Sequence, residues 1–333
     1  MKPKVLLLLL LTCTVHNLFA QQGIKADKPL YRDPVEDGAA DPAIVYNKDA
    51  KLYYMLYTNR RAKDTTLQGI TWVHGTKIGI ATSANGAKWT YKGECNFTGL
   101  NIDGMAYWAP DVVYYKKLYH MFVTIVPGIF TDWHHPRFIA HYTSADLVNW
   151  KYQSKLALSS ERCIDASVFA LPDGTWRMYY NNENDGKSIY YADSPDLYHW
   201  TDSKQKVVDT RGEGAKVFTW KGNNWMVIDS WNGLTVFKSA DLVHWDKQEA
   251  RILEQPGTGI DDKVKGGHAD VVVDGDKAYI IYFTHPGHTP DNKGVDNYET
   301  RRSVIQIAEL KLESSIITVN RDADVYIDLK KHK

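Results

Sequence analysis

Five hairpins in this chain open on residues that stand out for their chemistry. "DPAIVYNKDAKLYYMLY" begins at Asp41, "APDVVYYKKLYHMFV" at Ala109, "DASVFALPDGTWRMYY" at Asp165, "EGAKVFTWKGNNWMVID" at Glu213 and "HADVVVDGDKAYIIYF" at His268. Aligned on their apolar cores, they put Asp41, Ala109, Asp165, Glu213 and His268 at one position. Asp111 and Asp270 stand two residues further in, on the same side of their strands because side chains alternate with period two. Like charges packed together raise each other's pKa and cost stability, so strand capping is a poor explanation for the whole set. Carboxyls flanking a concave, aromatic-walled site suit glycosidic bond hydrolysis, in which one acid protonates the leaving oxygen and one carboxylate activates water. Inverting enzymes hold the two about 6.5–9.5 Å apart, a spacing open to residues on separate elements around one axis.

The elements that must do this positioning repeat along the chain. Each hairpin has a strand, a tight turn ("NKDAK", "YKK", "LPDG", "KGNN", "DGDK") and a second, aromatic-rich strand. A second motif follows the first four hairpins: "SANGAKW", "SADLVNW", "SPDLYHW" and "SADLVHW". Each lies between two further strands, so one repeat is four antiparallel strands. The predicted fold is all-β, a five-bladed β-propeller with four antiparallel strands per blade. In the fifth repeat, "SVIQIAELKL" is the third strand, and "SSIITV" and "DVYIDL" compete for the fourth. In such blades the first-strand starts and the connections from second to third strand share one face. The Ser-x-Asp-Leu-x-x-Trp turns fall on the other and read as structural caps. Long connections, "NRRAKDTTLQGITWVHGTK", "PGIFTDWHHP" and "HPGHTPDNKGVDNYETRR", therefore wall the carboxylate face, with Trp72, Trp133, His134, Trp231 and Arg301 available there.

Composition is compatible with this. The chain has 333 residues, 44% of them hydrophobic, with 40 Lys+Arg against 40 Asp+Glu, so nothing steers it to nucleic acid or an anionic membrane. Its 21 Tyr and 11 Trp suit β-structure and also suit sugar faces. Residues 1–20, "MKPKVLLLLLLTCTVHNLFA", read as a secretory signal peptide cleaved after Ala20, leaving residues 21–333 as a single exported propeller domain, periplasmic or extracellular. A lipoprotein signal ending at Cys13 is the rival, disfavoured by Thr12 before it. No later segment is apolar enough to span a membrane. Cys95 and Cys163 sit in different repeats without metal-type spacing, and a bridge between them is permitted but not required.

"ADPAI", "WAPDV", "IDASVF", "EGAKVF" and "GHADVV" together resemble the ordered blade-start motifs of glycoside hydrolase family 43, five-bladed propellers that invert configuration. The match runs from about residue 41 to 310. The resemblance implies Asp41 as general base, Glu213 as general acid and Asp165 as the carboxylate that raises and orients the acid. It implies substrate contacts for Asp111, with Trp108 beside it. His268 matches an axial histidine that in some members helps hold a calcium ion or ordered water; no cofactor is otherwise required. Trp231 reads as an aromatic platform, and Arg301 as a contact to sugar hydroxyls or a carboxylate, with a solvated salt bridge as its plainer role. His134 and His135 lack further ligands for a metal. Ala166 and Ala215 replace prolines usual in the family, which weakens inference of substrate. The expected function is an exported, exo-acting hydrolase of arabinofuranosyl, xylosyl or galactosyl units in plant or algal polysaccharides. Rivals are a neoagaro-oligosaccharide hydrolase, a retaining fructosidase and a glycan-binding propeller without catalysis.

Overall fold

The computed structural model describes residues 23–329, so the expected leader, its cleavage point and Cys13 lie outside the described residues. Five sheets are arranged as blades. Blade 1 comprises Ala39–Asn47, Leu52–Asn59, Lys77–Ser83 and Thr90–Glu94, and blade 2 Ala106–Tyr115, Leu118–Val126, Phe138–Ser144 and Asn149–Lys155. Blade 3 comprises Cys163–Ala170, Trp176–Asn182, Ser188–Ser194 and Thr201–Arg211. Blade 4 is built from Glu213–Trp220, Asn223–Asp229, Leu234–Ser239 and Asp246–Lys247, and blade 5 from Ala269–Asp274, Lys277–Thr284, Val304–Glu313 and Ile316–Val319. The first strands touch in cyclic order, blade 5 returning to blade 1. "SSIITV" thus supplies the fourth strand of blade 5, while Tyr326–Ile327 pairs with Ile24–Lys25. Blade 2 departs from the four-strand expectation, because Asn96–Thr98 adds a parallel fifth strand at its outer edge.

Sheet faces are apolar, and each pair of adjacent blades buries them in its own core. Leu56 and Ile80 of blade 1 meet Met121 and Trp150 of blade 2, and Val236 of blade 4 meets Ile280 of blade 5. The core between blades 5 and 1 also takes in both ends of the described chain, including Leu30, Tyr31, Val325 and Ile327. Tyr31 and Ile305 exchange backbone hydrogen bonds, which fastens the leading segment to blade 5 and closes the ring. Cys95 and Cys163 are buried free thiols in different cores.

The repeated Ser-x-Asp-Leu-x-x-Trp turns explain themselves. Ser144 Oγ accepts the N–H groups of Asp146 and Leu147, and Asp146 Oδ1 those of Val148 and Asn149. Leu147 takes a left-handed backbone (φ 67°), and Trp150 Nε1 donates to its carbonyl. Ser194 and Asp196 repeat the pattern around Leu197; in blade 1 Gly86 holds the left-handed position. The tryptophan is thereby locked into the core toward the preceding blade. Among the described residues, no helix is long and apolar enough to cross a membrane.

Candidate active site

The blade starts are not plain strands. Register jumps between Ala40 and Ala43, Trp108 and Asp111, Ile164 and Ser167, and Glu213 and Lys216. At each bulge one residue has a left-handed backbone: Asp41 (φ 51°), Ala109 (φ 45°), Asp165 (φ 57°) and Gly214 (φ 59°). A bulge with such backbone re-aims a side chain, and a non-glycine residue held there stores about 1–3 kcal/mol of strain. The alignment on apolar cores is therefore one residue out in blade 4. Gly214, not Glu213, is the counterpart of Asp41 and Asp165, and a Cβ there would lie 2.4 Å from Cγ of His268. Glu213 takes the place that Trp108 has in blade 2. Its carboxylate nevertheless reaches the same cavity, of about 520 Å³, as Asp41, Asp165 and His268.

The ends of the second strands frame these starts. Arg60, Glu183, Asp229 and His285 close the second strands of blades 1, 3, 4 and 5 beside the cavity. Asp41 receives Arg60 Nη2 at 3.3 Å and faces His268 Nδ1 at 3.5 Å. Burial opposes its ionisation, but the charges of Arg60 and His268 overcome this and hold the carboxyl well below the ordinary range. Asp165 accepts the Gly214 N–H at 3.0 Å and lies 4.0 Å from His268 Nδ1. Burial pushes it up to about 7 against the charge of His268, with the negative charges of Glu213 and Asp41 adding to the rise. Asp229 accepts N–H groups from Trp231 (2.7 Å) and His268 (2.9 Å), yet burial and Glu213 lift it to about 7 as well. Burial favours a neutral His268, but Asp41 and Asp165 prevail and raise it to about 9. Glu213 is the more open carboxylate, its side chain 26% exposed, with Lys187 Nζ at 3.3 Å. The cavity thus offers one carboxylate kept ionised, two carboxyls that ionise near neutrality, and Glu213 facing the opening among them.

Trp72, Trp108, Trp133 and Trp231 stand around this cavity. Trp108 Nε1 donates to Val73 O at 2.8 Å, and its ring stacks on His74. His74 accepts the Phe130 N–H on Nδ1 and meets His135 Nε2 at 3.2 Å, which joins the long connections of blades 1 and 2 behind Trp108. His134, by contrast, points to solvent.

Residues 31–229, more than half of the chain, match the family model described as glycosyl hydrolases family 43. The chain belongs to glycosyl hydrolases family 43. Its fold is shared by a thermostable family-43 glycoside hydrolase (TM-score 0.64, 19% identity, 91% of this chain and 100% of that one). It is shared too by a family 43 β-xylosidase/α-arabinofuranosidase from a compost microbial metagenome, in complex with xylotriose in a calcium-free form (TM-score 0.63, 14% identity, 89% and 98% covered). A curated relative, the β-fructofuranosidase insoluble isoenzyme CWINV6 of Arabidopsis thaliana, is 26% identical over 198 residues. That alignment spans 50% of this chain and 36% of the relative.

In this member of family 43, Arg301, Asp111 and Asp270, like His134, do not line the cavity. Arg301 is buried, bonded to Asp296 and to the carbonyls of Asp64 and Leu67, so it ties the blade 5 connection to that of blade 1 behind Trp72. Asp111 lies one pleat deeper along the axis. There Lys216 Nζ sits 2.8 Å from Asp111 Oδ1 and 3.0 Å from Asp270 Oδ1. Asp111 Oδ2 accepts the Val168 N–H (2.6 Å) and Asp270 Oδ2 that of Ile44 (2.7 Å). Blades 2, 4 and 5 are joined by charge, and blades 3 and 1 by these N–H groups. Burial disfavours the ammonium, but the two aspartates keep it charged. Oxygens that could receive an axial calcium are thus already satisfied by a tethered cation. Among the described residues no cluster of three or more His, Cys, Asp or Glu side chains is arranged for a metal. His268, the residue expected to help hold a calcium ion or ordered water, faces Asp41 and Asp165 instead of the Lys216 cluster.

The sequence reading overlooked Arg60, Glu183, Lys187 and Asp229. A signal existed: Asp229 is the last residue of the hairpin that Glu213 opens, and the two pair across it in register.

Proposed function

We propose that this family 43 glycosidase is an inverting, exo-acting enzyme that removes arabinofuranosyl, xylosyl or galactosyl units from plant or algal polysaccharides and their oligosaccharides. The observation that carries the reading is the divergence of carboxyl environments around one cavity. Arg60 and His268 keep Asp41 ionised, fit to take a proton from water, whereas the buried surroundings of Asp165 and Asp229 favour protonated carboxyls around Glu213. Glu213, open to the cavity, is the acid that protonates the leaving oxygen. Asp165 fixes the Gly214 N–H and thereby the backbone that aims Glu213. Walls of tryptophan around a single cavity favour a terminal sugar over a chain passing through. The leucine-rich leader supports export, and Lys216 supports a hub that works without added metal.

Glu213→Gln tests the assignment. Turnover of a cleavable arabinoside, xyloside or galactoside should fall about 10²–10⁴-fold while sugar binding persists. The likeness to a β-fructofuranosidase favours retention as the second reading. Proton NMR of the first-formed product separates them: the opposite anomer is expected, and a product of unchanged configuration would overturn the inverting mechanism.

A further inference from the structure

The wall beside Glu213 holds more positive charge than the hydrolysis of a neutral sugar calls for. Buried Glu183 serves three cations: Arg137 Nε at 2.8 Å, Lys187 Nζ at 3.0 Å and Arg162 Nη2 at 4.0 Å. Lys187 is shared with Glu213, so Arg137, Arg162 and Lys187 gather around Glu183 and Glu213, with Asp165 also acting on Arg137 and Glu161 beside Arg162. Outside the cavity, exposed Arg211 places its guanidinium over the Trp231 ring at 5.2 Å, where Lys187 also stands at 5.0 Å. Arg137 is closed in, only 2% exposed, but Arg162 and Lys187 are 23% and 30% exposed, and both line the cavity. Arg162 gives one N–H to the Trp133 carbonyl at 3.1 Å, and its buried Nε has no hydrogen-bond partner.

Charge held in a cavity is costly unless it is paired. A hydroxyl brings no counter-charge, whereas a carboxylate or sulfate does, and a guanidinium with free N–H groups matches such an oxyanion geometrically. We propose that the substrate carries an anionic group, a carboxylate or a sulfate ester, on the sugar at the leaving-group side of the scissile bond, where Arg162 and Lys187 bind it. This rests on the glycosidase reading, since it is Glu213 that locates the leaving group. An arriving anion also competes with Glu213 for Lys187 and frees the acid from its ion pair as the complex forms.

The test uses oligosaccharides that share one scissile bond and differ only in the leaving-side sugar: neutral, uronate, uronate methyl ester, or sulfated. For the charged compounds kcat/KM should exceed that of the neutral and esterified ones by ten-fold or more. The advantage should shrink as salt rises, and Arg162→Gln should collapse the charged-to-neutral ratio. Whichever charged arm is preferred identifies carboxylate or sulfate. Charged and neutral compounds cleaved equally, with a ratio indifferent to salt, would overturn the inference and leave the glycosidase intact. Cleavage of none of them, nor of any simple glycoside, would overturn the glycosidase reading and this inference with it.

Discussion

His268 draws its charge from Asp41 and Asp165, and the same contacts make stability depend on pH in a set direction. A histidine raised to about 9 contributes stability that is complete below its unfolded pKa and is lost as pH climbs through 9. Asp165 and Asp229, raised to about 7, bind protons in the folded state that the unfolded chain has already released. Between their unfolded value of 3.8 and about 7, stability therefore falls as pH rises. Asp41 acts oppositely, and its contribution is lost only under strong acid. Melting temperature measured by calorimetry should peak in mildly acidic buffer, then decline toward pH 9. Asp229→Asn should flatten the decline between pH 4 and 7, and an unchanged slope would show that Asp229 is not held protonated.

The bulges and turn motifs carry predictions of a different kind. Gly214 is needed both for its left-handed backbone and because the His268 ring occupies the space a Cβ would take. Gly214→Ala should push that ring off Asp41 and Asp165 and cut kcat by more than ten-fold. The displacement is visible as a changed His268 titration in the NMR spectrum. On the far face, Trp150 is 1% exposed in the core that joins blades 1 and 2. Trp150→Ala should cost about 3–5 kcal/mol in denaturant unfolding. Its distance from the cavity predicts near-normal KM at temperatures where the variant stays folded. These turns were legible in the sequence because every bond in them joins residues within a few positions of each other.

Five blades meet at Lys216, Asp111 and Asp270, so one ammonium links the whole ring. Removing one partner of a buried charged cluster costs about 3–5 kcal/mol, because the partners are left unpaired. Lys216→Met should lower the melting temperature sharply, with Lys216→Arg recovering part of the loss. Chelator should change neither stability nor turnover of the native protein. A melting temperature that fell with chelator would show that a metal, not Lys216, holds the axis.

Repeat number, blade architecture, the shared face of the blade starts and the family resemblance were all legible in consecutive residues. Alternation, turn chemistry and capping act over a few positions; the hairpins recur five times here and the capped turns four. The protonation of Asp41, Asp165 and Asp229 was not legible, because it depends on burial and on Arg60, His268 and Glu213, which the closed ring brings together from different blades. Nor was the placement of Asp111 or Arg301 legible, since a charged residue on the correct side of a strand still answers to the strongest partner nearby. For Asp111 that partner is Lys216, a lysine 105 residues away that only the closed propeller brings within 2.8 Å.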